Sequence, residues 1–388
     1  MANKKALMCA TNYWRSPFQV GAHHLARGLV KAGWEVGFIS DPISPWHVFG
    51  SNRQQVAERY QIYARGGECD MVGRLWAYVP GTFLTPRNKP ILRSTAVYRF
   101  WDRWTRPSLI DVVSRKGFGQ VDLLYVDSPL HAGWTKGIVR NKSVYRMADN
   151  LAGFEKTTPA TRRLERELAQ AVDVVVYAAG ALEPHVKSLH PRRVLHLPNA
   201  VDWAHFSNSD ARRPEEYGGI PNPIAVYVGA MDVWFDFDVI NACVRRLPQV
   251  SFVMIGPDDL ARKRLEPRPN LHLLGKRPYA ALPAYLRHAD VGLIPFDVRR
   301  HPALVQSIHP LKLYEYMACG LPVVSIDWEE IRNLRSPAIL CEDPASFPEA
   351  VRAALARPKD SEMFRAYAEG HDWTQRVQRL LTFLELAS

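Results

Sequence analysis

Short apolar runs alternate with amphipathic segments along the whole chain. KALMCA (5–10) is followed, after a loop, by HHLARGLVKAG (23–33), apolar at helical spacing up to Gly33, and then by WEVGFIS (34–40). Together they predict a βαβ unit. DLLYVD (122–127), SVYRMAD (143–149) and DVVVYAA (173–179) read as further buried strands, and TPATRRLERELAQ (158–170) as a charged helix capped by Thr158 and started by Pro159. A second series runs through PIAVYVGAM (223–231), SFVMIG (251–256), NLHLLG (270–275), VGLIPF (291–296), PVVSI (322–326) and AILCE (338–342). Strands alternating with helices predict an α/β protein of two Rossmann-like domains, each a doubly wound parallel sheet covered on both faces. The polar, Pro- and Gly-rich stretch at 207–222 is the expected linker, between an N-terminal domain over 1–206 and a C-terminal domain over 223–371. Trp373, Val377, Leu380, Leu381 and Leu384 form one stripe of a last helix within 372–388, expected to pack back across the junction. A cleft between the domains is the expected place for a ligand.

The densest signal is HPLKLYEYMACGLPVVSI (309–326). Pro310 suits a first helical position, Gly320 the left-handed position past the helix end, and Pro322 forbids continuation into the strand VVSI. The helix start offers free N–H groups and about half a positive charge, to which Lys312 adds a full one. Glu315, on the same face, is able to accept hydrogen bonds from the two hydroxyls of a ribose. The segment reads either as a cradle for a nucleoside diphosphate or as an ordinary amphipathic helix with a Lys312–Glu315 pair.

At 388 residues the chain exceeds what one core supports. No apolar run reaches the roughly eighteen residues needed to span a bilayer, and the start, Lys4 and Lys5 before ALMCA, reads as a first strand rather than a signal segment. A cytosolic setting is expected. The five cysteines are scattered, without a CxxC or Cys/His cluster, so neither a disulfide framework nor a zinc site is indicated. The net charge of +11 is uneven. Residues 1–200 hold 28 Lys and Arg against 15 Asp and Glu, whereas the remainder holds 22 against 24. The N-terminal half is therefore expected to meet something anionic: nucleic acid, an anionic membrane surface or a phosphorylated substrate. Residues 74–118 break the βα rhythm, placing Arg93, Arg99, Arg103 and Arg106 among Tyr98, Phe100, Trp101 and Trp104. That mixture suits an interfacial membrane segment, or else a packed insertion with solvated arginines. No G-x-G-x-x-G follows the first strand, which removes the usual dinucleotide fingerprint.

The two-domain pattern, with LPNAVDWAHF (197–206) before the linker and HPLKLYEYMACGLPVVS (309–325) after it, resembles the GT-B glycosyltransferases over nearly the whole chain. In that family an asparagine-containing turn, here Asn199 and Asp202, leads into the linker, and the C-terminal domain binds the nucleotide sugar. The common retaining pattern has a glutamate seven residues before the position of Glu315, where this chain has Ile308. Within the family, MANKKALMCATNYWRSPFQVGAHHLARGL (1–29) and VYRMADN (144–150) resemble the glucuronosyltransferases of xanthan assembly. The resemblance implies a peripheral enzyme at the cytoplasmic face of the inner membrane. It would transfer glucuronic acid, with inversion, from UDP-glucuronate to a polyprenyl-diphosphate-linked mannosyl-cellobiose. Another UDP- or GDP-hexose transferase, or a non-catalytic membrane- or nucleic-acid-binding protein, is the alternative. Nucleic acid is not the expected partner, and a monomer is.

An inverting transfer needs a base on the acceptor side. Asp149, at the carboxyl end of SVYRMA, is the expected one, and the resemblance implies a catalytic aspartate in this segment. His23 and His24 after the first strand are its rivals, and Asp127 a third choice. On the donor side Ser307, His309 and Lys312 are expected around the diphosphate, Glu315 at the ribose, Lys276 and Arg277 at the base, and Met231 lining the diphosphate or uracil pocket, unless it only fills core. Arg15, Lys312, Arg299, Arg300 and His301 are eligible for the glucuronate carboxylate. No Asp-x-Asp pair stands in a suitable loop, so no bound metal and no cofactor are expected.

Overall fold

The computed structural model describes residues 3–49, 53–153, 157–207, 212–358 and 362–387; residues 208–211 of the expected linker lie outside the described residues. The chain divides into two compact units, Met1–Pro198 with Arg376–Ser388, and Asn199–Gln375.

The first unit is built on β1 (Lys5–Ala10), β2 (Glu35–Ser40), β3 (Glu68–Asp70), β4 (Leu75–Tyr78), β5 (Gln120–Val126), β6 (Val139–Met147), β7 (Val174–Tyr177) and β8 (Val194–His196). Their order across the sheet is β3-β4-β2-β1-β5-β6-β7-β8, parallel throughout except for β3 against β4. Strands covered on both faces have no polar side to show, which is why ALMCA, LLYV and VVVY run without alternation. The chain adds β2 and β4 on one side of β1, then returns to place β5 on the other. Such a switch leaves a crevice outside the carboxyl ends of β1 and β5, the usual ligand position of an open α/β sheet.

The second unit holds β9 (Ile224–Val228), β10 (Ser251–Ile255), β11 (Leu271–Gly275), β12 (Val291–Ile294), β13 (Val323–Ile326) and β14 (Ile339–Cys341), all parallel, in the order β11-β10-β9-β12-β13-β14. Its switch lies between β9 and β12. Tyr217, inside the stretch expected to be linker, is buried, and its hydroxyl donates to the Tyr285 carbonyl at 3.1 Å.

Residues 74–118 are for the most part a packed insertion. Trp76 is buried and stacks between Tyr78 and Phe118, Trp101 is buried with its indole N–H donating to Leu130 O at 2.8 Å, and Arg99 makes two 2.6 Å bonds to Glu167. The apolar side chains most exposed there are Phe83 and Ile91, 73% and 80% exposed, on the loop carrying Arg87, Lys89 and Arg93, with Ile110 also in solvent. Among the described residues no helix is long and apolar enough to cross a membrane. The described cysteines are all free thiols, and only Cys69 is exposed.

The final helix, Trp373–Phe383, buries Trp373, Val377, Leu380 and Leu381, and Leu384 just beyond it. Val377 lies on Gly28 of the helix Gly21–Lys31, where an added Cβ would come 2.4 Å from Val377 Cγ2. Alanine is a better helix former than glycine by about 0.8–1 kcal/mol, yet this contact leaves no room for its methyl. Gly28→Ala should therefore destabilise the protein by about 1–3 kcal/mol in urea denaturation, as overpacking does. In a Val377→Ala background the same change should turn neutral or stabilising; an unaltered penalty there would show that Val377 is not its cause.

Candidate functional site

In the first unit, polar groups gather where β1, β2, β5 and β6 end. Asp127, the residue after β5, accepts from Thr11 N–H at 3.2 Å. Asp41, just past β2, pairs with the buried His131, Nε2 to Oδ1 3.0 Å. From β6 comes Arg146, 1% exposed, whose guanidinium lies against Gly21 at the start of the first helix; a Cβ on Gly21 would fall 2.6 Å from it. Only a glycine admits the guanidinium so close to that helix. Asp149 follows β6 by two residues and is half-buried. Burial raises its carboxyl above the ordinary range, and the charge of Arg146 opposes the rise. Burial likewise pushes Asp127 up to about 7, with Arg146 opposing and Asp41 assisting. One buried cation thus serves two carboxyl groups whose environments favour holding a proton.

The histidines stand otherwise. His23 is buried with both ring nitrogens occupied by backbone: Nδ1 accepts from Val20 N–H at 3.3 Å and Nε2 donates to Tyr13 O at 3.1 Å. Burial, against these bonds, lowers its pKa to about 4. It closes the helix start rather than facing a ligand, which sets it below Asp149. His24 is buried in the core face of the same helix.

In the second unit, the helix Leu311–Ala318 follows Pro310, which stands at the N-cap rather than the first helical position. Gly320 takes φ +77° past its end, as the sequence indicates. The Tyr316 hydroxyl accepts from Val228 N–H at 2.8 Å, fixing the helix to the end of β9. One turn earlier on that face, Lys312 is thereby set over Gly229. Its Nζ lies 5.2 Å from the Tyr227 ring and 4.8 Å from that of Phe296. A Cβ on Gly229 would come 3.3 Å from this ammonium, and one on Gly256 only 1.9 Å from the Gly229 carbonyl oxygen; both glycines have φ near +150°. Two strand ends therefore meet with bare backbone beneath one lysine. Burial lowers Lys312 to about 8 and raises Glu315 to about 7, each partly offset by the other.

Other expected donor residues are placed differently. The ring of His309 is committed inward, Nδ1 at 2.8 Å from Glu330 and Nε2 at 2.8 Å from the Tyr314 hydroxyl, so it orients the segment rather than meeting phosphate. Asn199 reaches the same segment, its amide donating to His309 O at 2.8 Å. Ser307 is buried, its hydroxyl donating to Leu304 O, and the N–H groups of Ser307 and Ile308 are spent on Leu304 and Val305. Met231 is buried in the core, the gap-filling alternative. Lys276 is exposed, while Arg277 is held by Tyr285, Leu274 O and Glu216. Arg15, Arg299 and Arg300 each already meet a carboxylate, Glu68, Asp343 and Asp297 respectively. Among the described residues no group of three His, Cys, Asp or Glu side chains is arranged to hold a metal ion.

Sequence reasoning missed Arg146, Gly229 and Gly256. The glycines had a signal, since VYVG, VMIG and HLLG all end a strand on glycine. Arg146 had only the weak one of a charge inside a buried strand.

Comparison with known proteins follows these outlines. Residues 7–178 match the sequence model of the N-terminal domain of the glucuronosyltransferase GumK, and residues 222–357 that of the glycosyl transferases group 1. A Bacillus subtilis (strain 168) protein, TuaH, named as a teichuronic acid biosynthesis glycosyltransferase, is 24% identical over 234 residues, 56% of this chain and 58% of that protein. The match thus spans less than two thirds of the relative's length. Sucrose-phosphate synthase from Thermosynechococcus elongatus aligns with a TM-score of 0.70 at 14% identity, over 99% of this chain and 98% of that one. Anabaena Alr3699/HepE, solved in complex with UDP and glucose, aligns with a TM-score of 0.67 at 16% identity, over 99% and 100%. At such identities the solved structures establish the fold, and the two sequence models, one for each unit's sheet, carry the activity class. The chain belongs with the GT-B glycosyltransferases, two parallel-sheet Rossmann-like domains of which the N-terminal one is of the GumK kind.

Proposed function

We propose that the protein is an inverting glucuronosyltransferase that moves glucuronic acid from UDP-glucuronate to a polyprenyl-diphosphate-linked mannosyl-cellobiose in exopolysaccharide assembly of the xanthan type. The reading rests above all on one observation: a GumK-like N-terminal domain carries, at the end of β6, a half-buried aspartate whose proton affinity burial has raised. In this reading Asp149 takes the proton of the acceptor hydroxyl as its oxygen attacks the anomeric carbon from the face opposite UDP. The bond from that carbon to the β-phosphate oxygen breaks, and the electron pair leaves with UDP. Lys312 and the N–H groups opening the helix Leu311–Ala318 meet the charge that develops there, without a metal. Gly229 and Gly256 leave the diphosphate room against the backbone, and the Glu315 carboxyl accepts from the ribose hydroxyls. The enzyme works as a monomer, peripherally at the cytoplasmic face of the inner membrane, with Phe83 and Ile91 as the apolar contacts and the basic loop between them facing anionic lipid.

The decisive test incubates purified protein with UDP-glucuronate and lipid extract holding the trisaccharide carrier, and weighs the product. A product heavier by one hexuronate is expected; no such product, or equal turnover with UDP-glucose or GDP-mannose, defeats the assignment. Asp149→Asn should cut turnover by about 10²–10⁴-fold while UDP affinity stays unchanged. Full turnover in that variant would remove Asp149 as the base. UDP binding should weaken as pH rises through about 8, because Lys312 is charged below that value and neutral above it. Lys312→Met should bind UDP about tenfold more weakly at pH 7 and lose this pH dependence, as calorimetry would show. Phe83→Asp with Ile91→Asp should lower retention on anionic vesicles and leave UDP affinity unchanged.

A further inference from the structure

The first unit contains a second polar cavity that the proposed chemistry does not use. It encloses about 170 Å³ beside the carboxyl end of β2, and Thr11, Asp41, His47, Arg59, Thr85 and Arg87 are among its lining. That is well below the about 300–1,000 Å³ of a pocket for a whole organic ligand, so it suits one charged group of a larger molecule. Its cations are placed against their own repulsion. Arg59 is fixed by donating to the carbonyls of Asp41 and Pro42 at 2.7 and 3.0 Å, and its Nε is buried without a partner among the described residues. Arg87 makes no side-chain ion pair or hydrogen bond with a described residue, although its loop is closed by the bond from Arg87 N–H to Leu92 O. His47 accepts from Ser44 N–H at Nδ1, 3.0 Å, which leaves Nε2 to carry its proton. Burial, then Arg87 and Arg59, lower its pKa to about 4, so it stands neutral among the two guanidiniums. The Asp41 carboxylate, 3.0 Å from His131, is the one acid of the lining and also acts on Arg59. Two guanidiniums against one carboxylate, with an N–H donor beside them around one small cavity, form a receptor for an oxyanion.

The chain around the cavity carries exposed apolar side chains. Trp46 precedes His47 and is 54% exposed, while Phe83 and Ile91 flank Thr85 and Arg87 along the sequence. A soluble anion has no use for them; one carried on a lipid does. We infer that this cavity binds the phosphate or diphosphate group of a lipid at the membrane surface, through Arg87, Arg59 and His47. The role of that lipid as acceptor or anchor rests on the proposed transfer reaction, but the binding itself does not.

The test therefore measures binding without turnover. The full-length protein is saturated with UDP, so that the donor site cannot contribute, and titrated calorimetrically with inorganic pyrophosphate. In parallel it is sedimented with phosphatidylcholine vesicles that are plain, doped with a polyprenyl diphosphate, or doped with phosphatidylglycerol. One equivalent of pyrophosphate should bind, and one or both doped vesicles should retain the protein more than plain ones. Arg87→Met should weaken both by about tenfold, and Arg87→Lys should restore part. Preference for polyprenyl diphosphate would mark the carrier as the ligand, and preference for phosphatidylglycerol the bulk membrane; either supports the site. No pyrophosphate binding in the presence of UDP, or binding that Arg87→Met leaves unchanged, overturns it. Pyrophosphate binding without Arg87-dependent vesicle retention overturns the lipid assignment. Unaltered UDP affinity in Arg87→Met separates loss of this site from misfolding, and hexuronate transfer is scored independently of every arm.

Discussion

A guanidinium taken out of water has to be met by opposite charge, and Arg146 lies 1% exposed in the middle of a parallel sheet. Much of the polar architecture of the first unit follows from that. Asp127 and Asp149, at the ends of the two strands nearest the arginine, supply the charge, and Gly21 gives the guanidinium its berth at the helix start. Because one cation is divided between two carboxyl groups, neither is fully compensated. Burial therefore wins, and both proton affinities rise instead of falling as in an exposed ion pair. A structural cost in the sheet becomes a chemical property at its edge.

The second unit meets the same problem, a buried cation, with aromatic rings. Lys312 has no carboxylate in salt-bridge contact among the described residues; it stands over Tyr227 and Phe296, with Glu315 acting on it at longer range. Ring faces compensate a cation only in part, and the ammonium keeps the capacity to gain from an anion. What positions it is the Tyr316 hydroxyl, anchored on the last N–H of β9.

The legibility of these features from sequence divides by range. Strands β1, β2, β5 to β7 and β9 to β14, the Thr158 cap and the Gly320 stop come from local pattern and are found where the pattern puts them; the expected strands do not include the short β3, β4 and β8. The 74–118 segment is less transparent, because a helix bearing Trp and Arg has the same composition whether its rings face lipid or a neighbouring helix. Here Trp101 turned inward and Arg99 found Glu167, 68 residues away, and the most exposed large apolar groups are Phe83 and Ile91. His309 misled for a similar reason: its place before the helix suggests an anion contact, but Glu330, 21 residues on, claims its ring.

Alone, then, the sequence determined the repeating βα plan, the helix 311–318 with its stop, and the acidic residue ending SVYRMA, since each depends on backbone preference and periodicity over a few residues. Tertiary structure decided which polar groups face which. It brought Arg146 to Asp127 and Gly21, Lys312 to Gly229 and Phe296, and Arg87 to Arg59 and His47. Desolvation and Coulomb energy depend on distance in space, and the partners that set them lie from a few residues to more than a hundred apart along the chain.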